Sequence, residues 1–283
     1  MSIKEKILKQ TYFIAEIGIN HNGELNNAIN LIEAAKFAGC DAVKFQKRTP
    51  EICVPKDQWS IIKETPWGKL KYIDYKKKIE FGLKEFKEID RFCKKIGIAW
   101  SASCWDIPSL KFISSFKVPF LKIASASITN IPLLKAHNKM NIPTILSTGM
   151  STENQIKTAV ACFNKKNVLG ILHCNSSYPC SYNDLNLRYI NKLKKKYPSF
   201  IIGYSGHESG LSPTLAAVVL GAQIIERHIT LDKSLWGTDQ QSSIEPLGFA
   251  RLIRDTRVIE KSLGIEKKII SQNEKEVMKK LRE

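Results

Sequence analysis

The sequence predicts a single-domain α/β protein, a (β/α)8 TIM barrel spanning residues 1–283. Three observations favour this fold: β-rich runs alternate with amphipathic stretches, there are eight such runs, and the length of 283 residues is close to the ~250 typical of the barrel. The rival fold is a doubly wound sheet, which usually has fewer strands and a glycine-rich first turn. The segment EIGINHNG after the first run does not match G-x-G-x-x-G, so the barrel is preferred.

The predicted strands lie between about residues 12 and 230, at 12–18, 42–46, 98–103, 120–125, 143–149, 168–175, 200–207 and 223–230. Helices are predicted between them from apolar spacings of three and four residues. The helix over 26–39 ends at Gly39, and the helix over 152–166 opens with a capping box of Thr152 and Gln155. The helix over 212–222 has a proline at its first turn.

One connection, residues 47–82 after the second strand, is much longer than a usual loop. It is rich in aromatic residues and lysines. Long insertions in compact domains commonly act as lids over functional sites. We therefore predict that this segment covers part of the site.

The net charge is +17, which raises the question of a nucleic-acid partner. The lysines are scattered through the chain, and the densest run, residues 191–198, is typical of a solvated helix end. We expect no nucleic-acid partner, and the charge would instead help to attract a small anionic substrate.

Cysteine usage and hydropathy indicate the compartment. The seven cysteines form no C-x-x-C pair, and several lie within apolar runs, which is typical of free thiols in a reducing cytoplasm. No run approaches the roughly 18 apolar residues of a membrane span. The N-terminus has no apolar core followed by a cleavage site, so no signal peptide and no membrane partner are expected.

Polar residues occur at the end of every predicted strand, where barrel enzymes carry their chemistry. Taken singly, most have a plainer explanation, such as a turn serine or a hydrogen-bonded histidine. Lys44 and Lys122 are different because each lies inside an apolar run, where a charged lysine needs an anionic partner. Together with the surrounding hydroxyls, they indicate a pocket for a small carboxylate that carries a phosphate.

His207 and His228 end the seventh and eighth predicted strands, which are neighbours in a closed barrel. Two imidazoles would leave most positions of a divalent metal ion open to substrate and water, as a Lewis acid requires. A closed zinc site would need four ligands, and no cysteine has suitable spacing. The segment GYSGH lacks the last glycine of a nucleophile elbow, and no phosphate-binding P-loop is present.

Several segments resemble the signature blocks of the sialic acid synthase (N-acetylneuraminate synthase) family: AEIGINHNG, DAVKFQ, KIASASITNIPLL, ILSTGMST, LHCNSSYP, GYSGHESG, GAQIIERHITLD and SSIEP. They occur in family order over about residues 12–263. The resemblance implies a barrel enzyme, a transferase that condenses phosphoenolpyruvate with an N-acetyl-hexosamine. The product would be a nonulosonic (sialic-type) acid, with release of phosphate.

The resemblance also implies roles for individual residues. Mn²⁺ or Mg²⁺ would be bound by His207 and His228 and would polarise the sugar aldehyde. Glu16 and Asp239 would be catalytic, with Glu16 as acid or base and Asp239 acting on the sugar hydroxyls or in proton transfer. Phosphoenolpyruvate would be bound by the residues that match the family's set: Lys44, Ser103, Lys122, Ser125, Ser147, Ser176 and Tyr178.

The sequence departs from the family pattern at Ser127 and Gly206, where acidic residues are usual. We also expect the family's C-terminal antifreeze-like domain to be missing. Family members are commonly dimers, so a homodimer is the assembly that the resemblance suggests. The alternatives are a phosphoenolpyruvate-dependent synthase for another aldose, a basic nucleic-acid-binding barrel and a catalytically dead barrel.

Overall fold

The structure, a computed structural model, describes residues 2–282 and contains a closed barrel of eight parallel strands. The predicted barrel is confirmed, and the doubly wound sheet is excluded. Two further strands form an antiparallel hairpin outside the barrel. In chain order the strands are β1 (Tyr12–Gly18), β2 (Ala42–Lys47), the hairpin strands β3 (Ile62–Thr65) and β4 (Gly68–Lys71), β5 (Ala99–Cys104), β6 (Leu121–Ile123), β7 (Thr144–Ser147), β8 (Val168–Cys174), β9 (Ile201–Gly206) and β10 (Ile224–His228).

Each barrel strand is connected to the next barrel strand in the chain by a segment that contains at least one helix. The helices are α1 (Ile3–Lys9), α2 (Leu25–Phe37), α3 (Pro50–Cys53), α4 (Tyr72–Ile79), α5 (Leu83–Ile96), α6 (Ile107–Ser114), α7 (Ile131–Lys139), α8 (Glu153–Ala161), α9 (Tyr189–Lys196), α10 (Ser212–Val219), α11 (Pro246–Leu263) and α12 (Gln272–Leu281). The predicted capping box at Thr152 is present at the start of α8. No helix among residues 2–282 is long and apolar enough to cross a bilayer.

Alternation along the strands separates two apolar regions. In β1, Phe13, Ala15 and Ile17 pack outward against the helices, whereas Tyr12 and Ile14 belong to a second cluster inside the barrel. The inner cluster fills the N-terminal half of the barrel. The same inward-facing rows continue to Glu16 in β1 and Lys44 in β2, so they become polar toward the C-terminal end.

Helix α1 covers the N-terminal end of the barrel. Ser2 and Glu5 form a capping box that starts this helix, and its Ile7 side chain is fully buried in the inner cluster. The N-terminal segment therefore contributes to the barrel core, a role that its charged sequence does not reveal.

The insertion of residues 47–82 contains α3, the β3–β4 hairpin and α4, and it packs tightly onto the barrel. Gly23, in a left-handed conformation, lies so close to the end of α4 that a Cβ there would be 2.7 Å from the Lys78 carbonyl oxygen. Glu80 pairs with both Lys47 and Arg48. The segment is thus anchored beside the C-terminal end of the barrel.

Candidate active site

A cavity of about 170 Å³ opens at the C-terminal end of the barrel. Every residue predicted for the site except Asp239 lines it. The lining consists of Glu16, Lys44, Gln46, Ser103, Trp105, Lys122, Ala124, Ser125, Ala126, Ser147, Met150, Cys174, Ser176, Tyr178, Ser205, His207, Glu226 and His228. No residue of the insertion 47–82 lines this cavity. The lining therefore does not support the prediction that the insertion covers part of the site.

Strand register explains why these residues meet. Glu16 pairs in register with Lys44 on one side and with His228 on the other. Ser103 pairs with Lys122 across β5 and β6. Because alternate residues of each strand point inward, neighbouring strands place their last inward side chains in one layer.

Lys44 is 2 % exposed and forms an ion pair with Glu16, with Nζ 2.6 Å from Oε2. It also donates a hydrogen bond of 2.8 Å to the Ser103 hydroxyl. Burial raises the pKa of Glu16 to about 7 in spite of the lysine, and Glu226 adds to the rise. Burial disfavours the charge of Lys44, but Glu16 and Glu226 raise its pKa above the ordinary value. The lysine therefore stays charged, while Glu16 can exchange a proton near neutral pH.

Glu226 links the two buried lysines, although the sequence analysis assigned it no role. One of its carboxylate oxygens lies 3.9 Å from Lys44 Nζ and the other 3.7 Å from Lys122 Nζ. Burial would raise the pKa of Glu226, but Lys122 and Lys44 hold it below the usual value. Ser205 donates a hydrogen bond to the same carboxylate. In the sequence, the position of this glutamate within the apolar run IIERH was the feature that could have indicated a role.

The hydroxyl groups cluster around Lys122 and the backbone of Gly149. Lys122 donates to the Ser147 hydroxyl, and the Gly149 amide donates a 3.1 Å hydrogen bond to Ser125. A Cβ at Gly149 would lie 2.2 Å from the Ser176 oxygen and 2.8 Å from the Ser125 oxygen. Only glycine lets the two serines converge here, and the sequence analysis assigned this residue no role.

His207 and His228 are adjacent, with ring centroids 5.5 Å apart. The Asn175 carbonyl accepts from His207 Nδ1 at 2.7 Å, so in the neutral ring Nε2 is the unprotonated nitrogen and accepts from the Tyr178 hydroxyl at 2.8 Å. Burial lowers the pKa of His228 to about 4, so this imidazole is neutral. Its Nδ1 is buried without a hydrogen-bond partner.

A neutral imidazole at His228 and a His207 ring oriented by a backbone carbonyl suit a divalent metal ion. Among residues 2–282 no group of three or more His, Cys, Asp and Glu side chains is arranged for metal binding. Two histidine ligands would leave most coordination positions of such an ion to substrate and water. The residues present fit an open metal site rather than a closed one.

Asp239 lies just outside the cavity, with Oδ2 3.8 Å from His228 Nδ1.

Gly206, where the resemblance led us to expect an acidic residue, lies in a confined space. A Cβ there would lie 2.5 Å from a Glu208 oxygen, and Glu208 forms a buried ion pair with Arg227. This ion pair occupies the space that a larger residue would need.

Some polar strand-end residues have structural roles instead. His21 stacks on Phe81 at 4.0 Å, and burial lowers its pKa to about 3. His173 points to the helix layer and hydrogen bonds to the Leu185 carbonyl. Neither residue lines the cavity.

Comparison with known proteins gives consistent relationships. The model of the NeuB family matches residues 31–268. N-acetylneuraminate-9-phosphate synthase of Drosophila melanogaster is 40% identical over 248 residues, covering 86% of this chain and 66% of that protein. The chain thus spans about two thirds of that relative's length. N,N'-diacetyllegionaminic acid synthase of Campylobacter jejuni is 38% identical, covering 94% of this chain and 81% of that protein.

A solved structure is also similar in sequence and fold. The N-acetylneuraminic acid (sialic acid) synthetase of Leptospira borgpetersenii, in complex with citrate, superposes with a TM-score of 0.85 at 38% identity. The match covers 96% of this chain and 91% of that one. From the family model and these relatives together, the chain belongs to the NeuB family.

Proposed function

We propose that this protein condenses phosphoenolpyruvate with an N-acetyl-hexosamine, giving a nonulosonic acid and phosphate. The observation that carries the proposal is the pair of buried lysines in one cavity, Lys44 and Lys122, surrounded by hydroxyls. Ammonium and hydroxyl groups are suitable donors to the phosphate and carboxylate oxygens of phosphoenolpyruvate. The names of the three relatives described above, all synthases of sialic-type acids, support the same reaction.

The proposed reaction forms one carbon–carbon bond and breaks the carbon–oxygen bond to phosphate. Carbon 3 of phosphoenolpyruvate attacks the aldehyde carbon of the open-chain sugar, forming the carbon–carbon bond, and the aldehyde oxygen takes up a proton. Water then adds to carbon 2, and the carbon–oxygen bond to phosphate breaks. Glu16 acts as the base that removes the proton of the attacking water, because its pKa of about 7 suits proton transfer near neutral pH.

The other residues bind and orient. Lys44 and Lys122 hold the anionic substrate, and the hydroxyls of Ser103, Ser125, Ser147, Ser176 and Tyr178 donate to it. Glu226 lies between the two lysines, and its negative charge favours the protonated form of each. Asp239, at the edge of the cavity, accepts hydrogen bonds from sugar hydroxyls.

His207 and His228 are proposed as ligands of Mn²⁺ or Mg²⁺. When bound, such an ion supplies Lewis-acid polarisation of the aldehyde. The buried Nδ1 of His228 without a partner and the neutral state of its ring support this assignment. Titration calorimetry with Mn²⁺ alone is expected to detect binding by the wild type and none by His228→Ala.

The test of the reaction is phosphate release from phosphoenolpyruvate with Mn²⁺ across a panel of N-acetyl-hexosamines and other aldoses. Release that requires both an acetamido sugar and the metal, and that is lost in His228→Ala, would support the proposal. Release only with an aldose that has no acetamido group would favour the alternative synthase. No release with any sugar would contradict both.

The proposal extends to the acceptor sugar, to a cytoplasmic location and to a homodimeric assembly. The names of the relatives cover products with a phosphate and without one, which leaves the acceptor class open. Seven free cysteines among residues 2–282 support a reducing cytoplasm. We propose a homodimer, which light scattering would test by its mass.

A further inference from the structure

Helix α12 exposes an apolar face that the barrel does not cover. None of its residues is buried. Val277 is 51 % exposed and Leu281 is 79 % exposed, and the two lie on one side of the helix because they are four residues apart. Ile270, just before the helix, is also exposed and lines the same groove as these two side chains. Of residues 2–282, only those between 268 and 282 line this groove, which has a volume of about 560 Å³.

A helix as short as α12 is only marginally stable in water by itself. Its first turn is stabilised by a capping box, in which the Ser271 hydroxyl accepts from the Glu274 amide and the Glu274 carboxylate accepts from the Ser271 amide. This cap leaves the aliphatic side chains of the helix in water. A partner that covered them would stabilise the helix by about 25 cal/mol for each Å² of apolar surface that it buries.

The charges on and beside the apolar face differ between the two ends of α12. Glu274, in the N-terminal half, lines the groove together with Val277. Lys280, in the C-terminal half, is three residues from Val277 and therefore borders the same face, whereas Lys279 lies on the opposite side. If a second α12 packs antiparallel against this face, Glu274 of each helix comes to lie near the partner's Lys280. The face is thus complementary in charge to a copy of itself.

An anionic membrane surface is the other partner that a basic amphipathic helix could fit. Lys275, Lys279 and Lys280 would be attracted to its headgroups. Glu274, however, would enter the apolar layer together with Val277, and burying a carboxylate without a partner is costly. Its neighbour Lys268, 3.8 Å away, is exposed and only weakly compensates this charge. A second copy supplies a cation at this place, so it is the better partner.

The exposed apolar surface continues beyond the helix. A helix of this length spans only about 15 Å, which is short for the roughly 800 Å² that each partner buries in a stable interface. Three residues that precede α12 enlarge the surface: Leu263 is 55 % exposed, Ile265 65 % and Ile269 61 %. The helix and this segment together therefore offer a larger apolar surface than α12 alone.

We propose that α12, with the apolar residues that precede it, forms the interface between two copies of this chain. The two helices pack antiparallel about a twofold axis, so that the same surface is used on both subunits. This inference rests on the homodimer proposed above and names the surface that forms it.

The first experiment measures the mass of the whole chain by light scattering and its dimer dissociation constant by sedimentation over a dilution series. The wild type is expected at twice the chain mass of 32.1 kDa. Val277→Asp should raise the dissociation constant on the order of 100-fold or more, because the new carboxylate would be buried against an apolar face. Val219→Asp is the matched control, since Val219 is 53 % exposed in α10, and it should leave the constant unchanged.

A second pair of variants tests the antiparallel arrangement. Lys280→Glu places a like charge near the partner's Glu274 and should raise the dissociation constant on the order of 10-fold. Lys279→Glu makes the same change of charge on the opposite side of the helix and should have no effect. Equal effects of these two variants would contradict the arrangement.

The remaining outcomes separate this interface from the homodimer itself. A dimer that Val277→Asp leaves intact would keep the homodimer and refute the role of α12. A wild type that stays monomeric over the whole dilution series would refute both. If that monomer bound vesicles containing anionic phospholipid, and Val277→Asp abolished the binding, the face would be a membrane contact and the inference would be overturned.

Discussion

The two halves of the barrel interior are built from the same strands and the same inward-facing rows, yet they differ in chemistry. In the N-terminal half, Ile14 packs with Ala42 and Phe120 in an apolar cluster plugged by Ile7. Two residues further along the first strand stands Glu16, paired with a lysine. One half therefore provides packing stability, while the other buries the charged groups that we propose bind the substrate.

The largest effect expected in the polar half is on the rate. Glu16→Gln should lower kcat on the order of 10²–10⁴-fold, since the amide cannot accept the proton that a general base takes. Steady-state phosphate release would measure it. Glu51→Gln, at an exposed carboxylate, is the control and should not change kcat; a Glu16→Gln enzyme with wild-type kcat would remove Glu16 from the mechanism.

In the apolar half the expected effect is on stability. Ile14→Ala should lower the free energy of unfolding by about 2–5 kcal/mol, because it leaves a cavity in a cluster that cannot collapse freely. Urea denaturation would measure this loss. The KM for phosphoenolpyruvate should not change in the folded variant, and a large change would break the proposed division between the two halves.

A smaller effect is expected at the rim of the polar half. Gly149→Ala should raise the KM for phosphoenolpyruvate about 10-fold or more, because the new Cβ would displace the hydroxyls of Ser176 and Ser125. Gly82→Ala, where the added Cβ would meet only a Glu85 oxygen at 3.4 Å, is the control. Equal KM values for both variants would show that the serines do not need this close approach.

A further prediction concerns the pH dependence of stability. The pKa of Glu16 is raised by burial to about 7, from an ordinary value of 4.5, so the folded state binds its proton more tightly than the unfolded state. The contribution of this group to the free energy of unfolding is fully present below about pH 4.5 and is lost as the pH rises through about 7. Glu16→Gln should abolish this part of the pH dependence. Urea denaturation of both proteins across that range would test it, and parallel curves would contradict it.

The sequence by itself determined the barrel and most of the candidate site. Alternating β-rich and amphipathic runs are local patterns, and a closed parallel barrel brings all strand ends to one face, so Lys44, Lys122, His207 and His228 could be placed together without coordinates. The boundaries were less accurate. Strand β6 is shorter than predicted because Ser125–Ser127 turn into a short 3-10 helix.

Only the tertiary structure decided how these groups are paired. The bridging place of Glu226 between two lysines, the close approach at Gly149 and the space filled by Glu208 beside Gly206 depend on residues far apart in the chain. The same holds for α1, which closes the N-terminal end of the barrel through the buried Ile7. Sequence periodicity predicts which face of a strand or helix carries a side chain. The distances between side chains and the balance of their charges are set only when strands and helices distant in the chain pack together.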